Sequence, residues 1–284
     1  MPCAAIGASL RRPTKPGEGA PAMTVRLPQT RRAVLKTAAL AGAGLPLAAI
    51  LADPLIARAV AQGLEEVTIT TPGGREVSAA LAQPAATPAG AVLLIHEWWG
   101  LNDQIKAVAA ELAKEGYVAL AVDLMGGEVA TTPEEAQALI SAVQPDQATE
   151  TLTAWIGWLR GQDFTTDKVA TLGWCFGGGW SLNASLAAPV DATVIYYGRV
   201  PGDPAALENL QSPVLGHFGT QDQSIDQAMV QGFEQALTQA GKEHEIHDYD
   251  ANHAFANPTG NNYDSEDARL AWQRTLAFLE QHIG

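Results

Sequence analysis

Cysteine is almost missing from this chain: 284 residues carry only Cys3 and Cys175. A fold stapled by several disulfides is therefore excluded. No group of Cys, His and carboxylates has the spacing of a metal site, and His244 and His247 lack such partners, so no metal or organic cofactor is called for. Cations are scarce beyond residue 61, where nine Lys or Arg face 29 Asp or Glu. A body that acidic argues against nucleic acid or an anionic membrane as partner. The longest apolar run, Ala38 to Leu51, is too short to span a bilayer comfortably, which leaves no stable membrane anchor. The apolar fraction of 47% is nevertheless ample for a core.

What the chain does have at its start is basic. The first 61 residues hold eight Lys or Arg and two Asp or Glu. Thr30-Arg31-Arg32-Ala33-Val34-Leu35-Lys36 forms a twin-arginine pattern, the apolar run follows, and Ala59-Val60-Ala61 offers a small-residue cleavage site before Gln62. Residues 1–61 are thus expected to be an N-terminal extension and twin-arginine signal. Met23 is read as the true start. Export to the periplasm or the medium through the twin-arginine translocation machinery follows as an expectation. Cleavage would remove Cys3 and leave Cys175 as a single thiol in an oxidising space, a liability unless it is buried or used.

The body, 62–284, reads as one domain. Val67–Thr71 and Glu76–Ala80 flank Pro72-Gly73-Gly74 as a hairpin. Strands are expected at Ala91–Ile95, Tyr117–Val122, Lys168–Leu172, Ala192–Tyr196, Pro213–His217 and His244–Tyr249. Helical spacing predicts helices over Ile105–Leu112, Pro133–Val143, Ala148–Leu159, Phe176–Leu186, Gln227–Ala240 and Glu266–His282. Alternating strands and helices, several strands continuously apolar, indicate an α/β fold with a mostly parallel sheet and helices on both faces.

Gly173-Trp174-Cys175-Phe176-Gly177-Gly178 sits at a strand-to-helix junction and has the form of a nucleophile elbow, with sulfur as the attacking atom. A glycine-rich turn around a structural cysteine is the plain alternative. A thiol nucleophile needs a base. Of the six histidines, His253 lies in a loop between the last strand and the last helix, the third place in the order nucleophile, acid, histidine. Asp222, after the strand Pro213–His217, fits the acid; Asp203 and Asp250 are weaker alternatives. A developing oxyanion needs donors, and the backbone amides of Phe176 and Trp98 are the candidates. His96-Glu97-Trp98-Trp99-Gly100 ends an apolar strand, where ligands bind in such sheets, so Glu97, Trp98 and Trp99 are read as site residues rather than core.

Together with Val122-Asp123-Leu124, Tyr196-Tyr197-Gly198, Gly216-His217-Phe218-Gly219 and Asn252-His253-Ala254-Phe255, these motifs run from residue 91 to 255 in one order. In that set the chain resembles the dienelactone hydrolases (carboxymethylenebutenolidases), a cysteine branch of the α/β-hydrolases. The resemblance implies the α/β-hydrolase fold and a triad of Cys175, Asp222 and His253. It also implies a Glu97 that holds the resting thiol, and Tyr197 beside the site. The family anchors its substrate carboxylate with two arginines. This sequence has Gly127 and Asn257 at those positions, with Glu128 next to the first, and Arg199 is the one arginine proposed in their place. The expected activity is hydrolysis of a neutral carboxylic ester or lactone through an acyl-enzyme. The competing expectations are a thioesterase or peptidase on the same residues, and an exported non-catalytic protein with a reactive thiol.

Overall fold

The computed structural model describes residues 47–284; Cys3, Met23 and the twin arginines lie outside the described residues. One eight-stranded sheet organises them. Its strands are β1 (Glu65–Thr70), β2 (Glu76–Ala82), β3 (Ala89–Ile95), β4 (Val118–Val122), β5 (Thr165–Trp174), β6 (Ala192–Tyr196), β7 (Val214–Gly219) and β8 (His244–Tyr249). They stand in the order β1-β2-β4-β3-β5-β6-β7-β8. β1 and β2 pair antiparallel, as do β2 and β4, and every later pairing is parallel.

Period-2 alternation sorts the strand residues between two faces. Val92, Leu94, Ala119, Ala121, Ala170 and Leu172 point to one face, where helices α3 (Asp103–Lys114) and α8 (Ser265–Ile283) cover them. Their neighbours Ala91, Leu93, Ile95, Val118, Leu120 and Val122 point to the other. There they meet α5 (Pro145–Arg160) and α6 (Phe176–Ala187), while α7 (Gln227–Gln239) covers the β7 side. A sheet buried on both faces accounts for the continuous apolar runs in its central strands. This is the α/β-hydrolase arrangement expected from the sequence.

Local chemistry sets the helix starts. Asn102 caps α3 by accepting from Ile105 N at 3.2 Å. Thr132 and Glu135 form a reciprocal capping box on α4 (Pro133–Ala142). Asp226 caps α7 through Met229 N. Such caps satisfy amide donors that a helix start leaves open.

Two features differ from the sequence reading. β5 begins at Thr165, before the expected Lys168, because its polar start still pairs with Ala89 of β3 through a register shift. Periodicity of apolar residues does not report a strand segment held by its edge pairing. Second, the tail of the expected signal is folded on the body. Leu47–Ala52 (α1) and Pro54–Ala61 (α2) are helical, with Asp53 capping α2 and Pro54 at its first turn. Ile50, Leu51 and Ala57 are buried against the α3 side, and Gln104 Nε2 donates to Leu51 O at 3.1 Å.

Candidate active site

β5 delivers Cys175 to the C-terminal edge of the sheet. Cys175 has φ 52° and is the N-cap of α6, with its amide donating to Tyr196 O at 3.0 Å. A non-glycine residue at positive φ is strained, and the elbow holds it there through close backbone contact. A Cβ added at Gly177 would strike the carbonyl oxygens of Ile95 and His96, and one at Gly173 would strike the backbone of Gly177 and Gly178. Both glycines are therefore required for α6 to pack this closely on β3 and β5.

The structure brings the three candidate catalytic residues together. His253 Nε2 lies 3.1 Å from Cys175 Sγ, and His253 Nδ1 lies 2.6 Å from Asp222 Oδ2. The other oxygen of Asp222 accepts from Ser224 N at 2.8 Å and Ile225 N at 3.0 Å. Asp222 is buried while Cys175 and His253 are half-buried. His253 is steadied from behind by Asn262 Nδ2, which donates to its carbonyl at 2.9 Å, and by the Tyr197 ring, 5.2 Å away edge-on. Ala254 and Tyr197 share with Cys175 a positive φ, so backbone strain gathers around this one centre.

Electrostatics follow from these contacts. Burial works to lower the His253 pKa, but the hydrogen bonds to Asp222 and Cys175 outweigh it and push the imidazole up to about 10. For Asp222, burial pulls upward and is outweighed by His253 and the amides of Ile225 and Ser224, leaving the carboxyl below its ordinary value. The weaker acid candidates are engaged elsewhere: Asp203 caps a short turn through Ala205 N, and Asp250 accepts from Gln221.

The amides of Phe176 and Trp98 make no hydrogen bond among the described residues. Phe176 N belongs to the first turn of α6, where helix geometry leaves amides open. His96 is buried at the end of β3. Its Nε2 accepts from Leu124 N at 3.2 Å, which ties the loop carrying Trp98 and Trp99 to the loop after β4. The two tryptophan rings meet edge-on at 5.0 Å, half-buried.

Glu97 departs from the expected contact. Its buried carboxylate takes a hydrogen bond from Asn257 Nδ2 at 2.7 Å, and no hydrogen bond joins it to Cys175 among the described residues. The thiol instead has His253 as its partner. Desolvation raises the Glu97 pKa to about 7, with the Asn257 bond pulling the other way. Asn257 therefore acts on Glu97 rather than standing free to meet substrate. Arg199 is exposed, and Gly127 donates its amide to Asp123 at an open turn.

Residues of α8 went unread in the sequence. Ala268, Arg269, Trp272 and Leu276 line, together with Glu97, Asn257 and Tyr197, a cavity of about 420 Å³ beside the Cys175–His253 pair. Helical periodicity marks such residues only as core-facing, since core and cavity wall obey the same pattern. No group of residues suited to holding a metal ion occurs among the described residues.

The chain is similar to known proteins. A profile of the dienelactone hydrolase family matches residues 77–283. Several relatives carry the name "Putative carboxymethylenebutenolidase", two of them as follows. The one from Saccharolobus solfataricus is 30% identical over 247 residues, covering 73% of this chain and 95% of its own. The one from Methylorubrum extorquens is 32% identical over 274 residues, covering 89% and 93%. A solved structure named "Putative Dienelactone Hydrolase", from Klebsiella pneumoniae, superposes with a TM-score of 0.69 at 28% identity. It covers 77% of this chain and 99% of the other.

Proposed function

The chain belongs to the dienelactone hydrolase family, and on that premise we propose that it is an exported hydrolase of neutral carboxylic esters or lactones with Cys175 as nucleophile. The observation that carries the reading is the continuous line Asp222–His253–Cys175, with contacts of 2.6 and 3.1 Å. In this cycle His253, oriented by Asp222, takes the thiol proton. The sulfur attacks the carbonyl carbon, a C–S bond forms, and the charge on oxygen falls to the amides of Phe176 and Trp98. One such donor is worth about 3 to 4 kcal/mol in known cases. The C–O bond then breaks as His253 returns its proton to the leaving oxygen. Water, deprotonated by His253, cleaves the thioester to the acid and restores the thiol.

The substrate is neutral in this reading for a physical reason. Buried Glu97 lies at the site and Asn257 replaces an arginine, so nothing there compensates a carboxylate on the substrate. Export by the twin-arginine route, with cleavage before Gln62, is part of the same proposal. It rests on the motif at Arg31-Arg32 and the small residues at Ala59–Ala61.

Cys175→Ala tests the core of it. Hydrolysis of p-nitrophenyl acetate is expected to fall to the buffer rate while circular dichroism stays that of the wild type. Substantial residual turnover by a folded Cys175→Ala protein refutes the assignment.

A further inference from the structure

The cavity beside the site has its own character. It lies between α3 and α8 and is floored by Trp174, Tyr196 and Tyr197, with α1 along its outer side. Its volume of about 420 Å³ falls in the range of small-molecule pockets. The walls are apolar, from Ile105 and Val108 on α3 to Trp272 and Leu276 on α8. At its inner end stand Glu97, Asn257 and Tyr197.

The geometry relates this inner end to the chemistry. The Tyr197 ring lies 5.2 Å from that of His253, and Cys175 packs against the same apolar cluster that forms the cavity floor. Cys175 and His253 do not themselves line the cavity, which approaches the pair through Tyr197 and Glu97, and this neighbouring apolar slot is offered to one arm of an ester held at Cys175 Sγ. Charge decides what kind of arm. Glu97, Glu111 and Glu115 line the cavity, Glu111 already paired with Lys114 at 2.7 Å, and the one cation among the lining residues is Arg269, exposed at its rim. An anionic arm would be repelled at both ends, while a hydrocarbon chain buries its surface at no electrostatic cost.

We propose that this cavity is an acyl pocket, and that the enzyme prefers neutral esters carrying an unbranched, medium-length hydrocarbon acyl chain. The inference rests on the hydrolase reading above and adds the substrate class to it.

The test uses the chain that begins at Gln62, the proposed mature enzyme, beside the full chain, in which α1 lines the outer side of the cavity, with p-nitrophenyl acetate and p-nitrophenyl octanoate as probes. Wild-type kcat/KM is expected to favour the octanoate by about tenfold or more, since one methylene in a fitting pocket is worth roughly 10- to 200-fold. Ala268→Val, Ala268→Leu and Ala268→Phe fill the slot in steps, and the octanoate-to-acetate ratio is expected to fall in the same order. The smaller replacements keep the series readable should the largest fail to fold. A ratio near one in the wild type, or one indifferent to the series, overturns the acyl pocket. Ester hydrolysis that persists in Cys175→Ala overturns Cys175 as the nucleophile instead, so the two failures are told apart.

Discussion

Asn257 and Glu97, 160 residues apart in the chain, meet at 2.7 Å behind the candidate nucleophile, the amide of one donating to the carboxylate of the other. The pair holds a carboxylate in a buried place beside His253 without a counter-charge on its own side. Burial then sets its titration near neutrality, at about 7.

A pH dependence of stability follows. The Glu97 carboxyl titrates at 4.5 when unperturbed and at about 7 in the fold, so the folded state takes up a proton between those values. The contribution of this group is fully present below about 4.5 and declines as pH rises to about 7, a span on the order of 3 kcal/mol. Glu97→Gln removes the charge. Urea midpoints of wild type and Glu97→Gln at pH 5 and pH 8 are expected to diverge with rising pH, the variant holding its stability. Parallel profiles would show that Glu97 is not buried as described.

The same carboxylate sits within electrostatic reach of His253. The kcat/KM profile for a neutral ester is expected to carry an inflection near pH 7 that Glu97→Gln abolishes. Asn257→Ala takes away a bond that favours the charged carboxylate, and so is expected to move the inflection upward.

Asp222 is the largest support for the raised pKa of His253, against the opposing pull of burial. Asp222→Asn keeps the shape and removes the charge. The imidazole pKa is expected to fall toward its ordinary value, read by NMR titration, and kcat to drop by roughly 10³- to 10⁴-fold. A loss under about tenfold would remove Asp222 from the triad.

Gly177→Ala tests the elbow as packing rather than chemistry. The new methyl meets the carbonyl oxygens of Ile95 and His96, which belong to a buried strand and cannot yield. A loss of about 3 kcal/mol or more is expected, in the range of severe core overpacking, read by thermal or chemical unfolding. An unchanged melting temperature would mean that β3 and α6 are farther apart than the structure has them.

N-terminal sequencing of secreted material checks the export proposal, with Gln62 expected as the first residue. A mature chain that begins upstream of Leu47 would mean that α1 and α2 stay with the enzyme as part of its wall.

Much of the sheet was legible because its central strands are buried on both faces, and continuous apolar runs such as Ala91–Ile95 are then unavoidable. The elbow was legible because close backbone contact admits only small residues around Cys175. The packing of Leu47–Ala61 on the body was not. An export signal and a helix pair packed on a core demand the same small and apolar residues, and composition cannot separate them. Nor was the Glu97–Asn257 bond legible, since periodicity speaks of faces and not of which loops meet. The cavity between α3 and α8 is gathered from segments as distant as Leu51 and Leu276, a relation held only in three dimensions.

Cys175 stands alone as a thiol between residues 47 and 284, half-exposed at the mouth of a strained turn. Cleavage before Gln62, as proposed, leaves a chain with a single sulfur to count. Each molecule then presents one thiol to a chromogenic reagent, and with Cys175 as the proposed nucleophile each modified sulfur is expected to silence one centre. Plotted against one another, residual activity and thiols consumed are expected to fall on a straight line that reaches zero at a single equivalent.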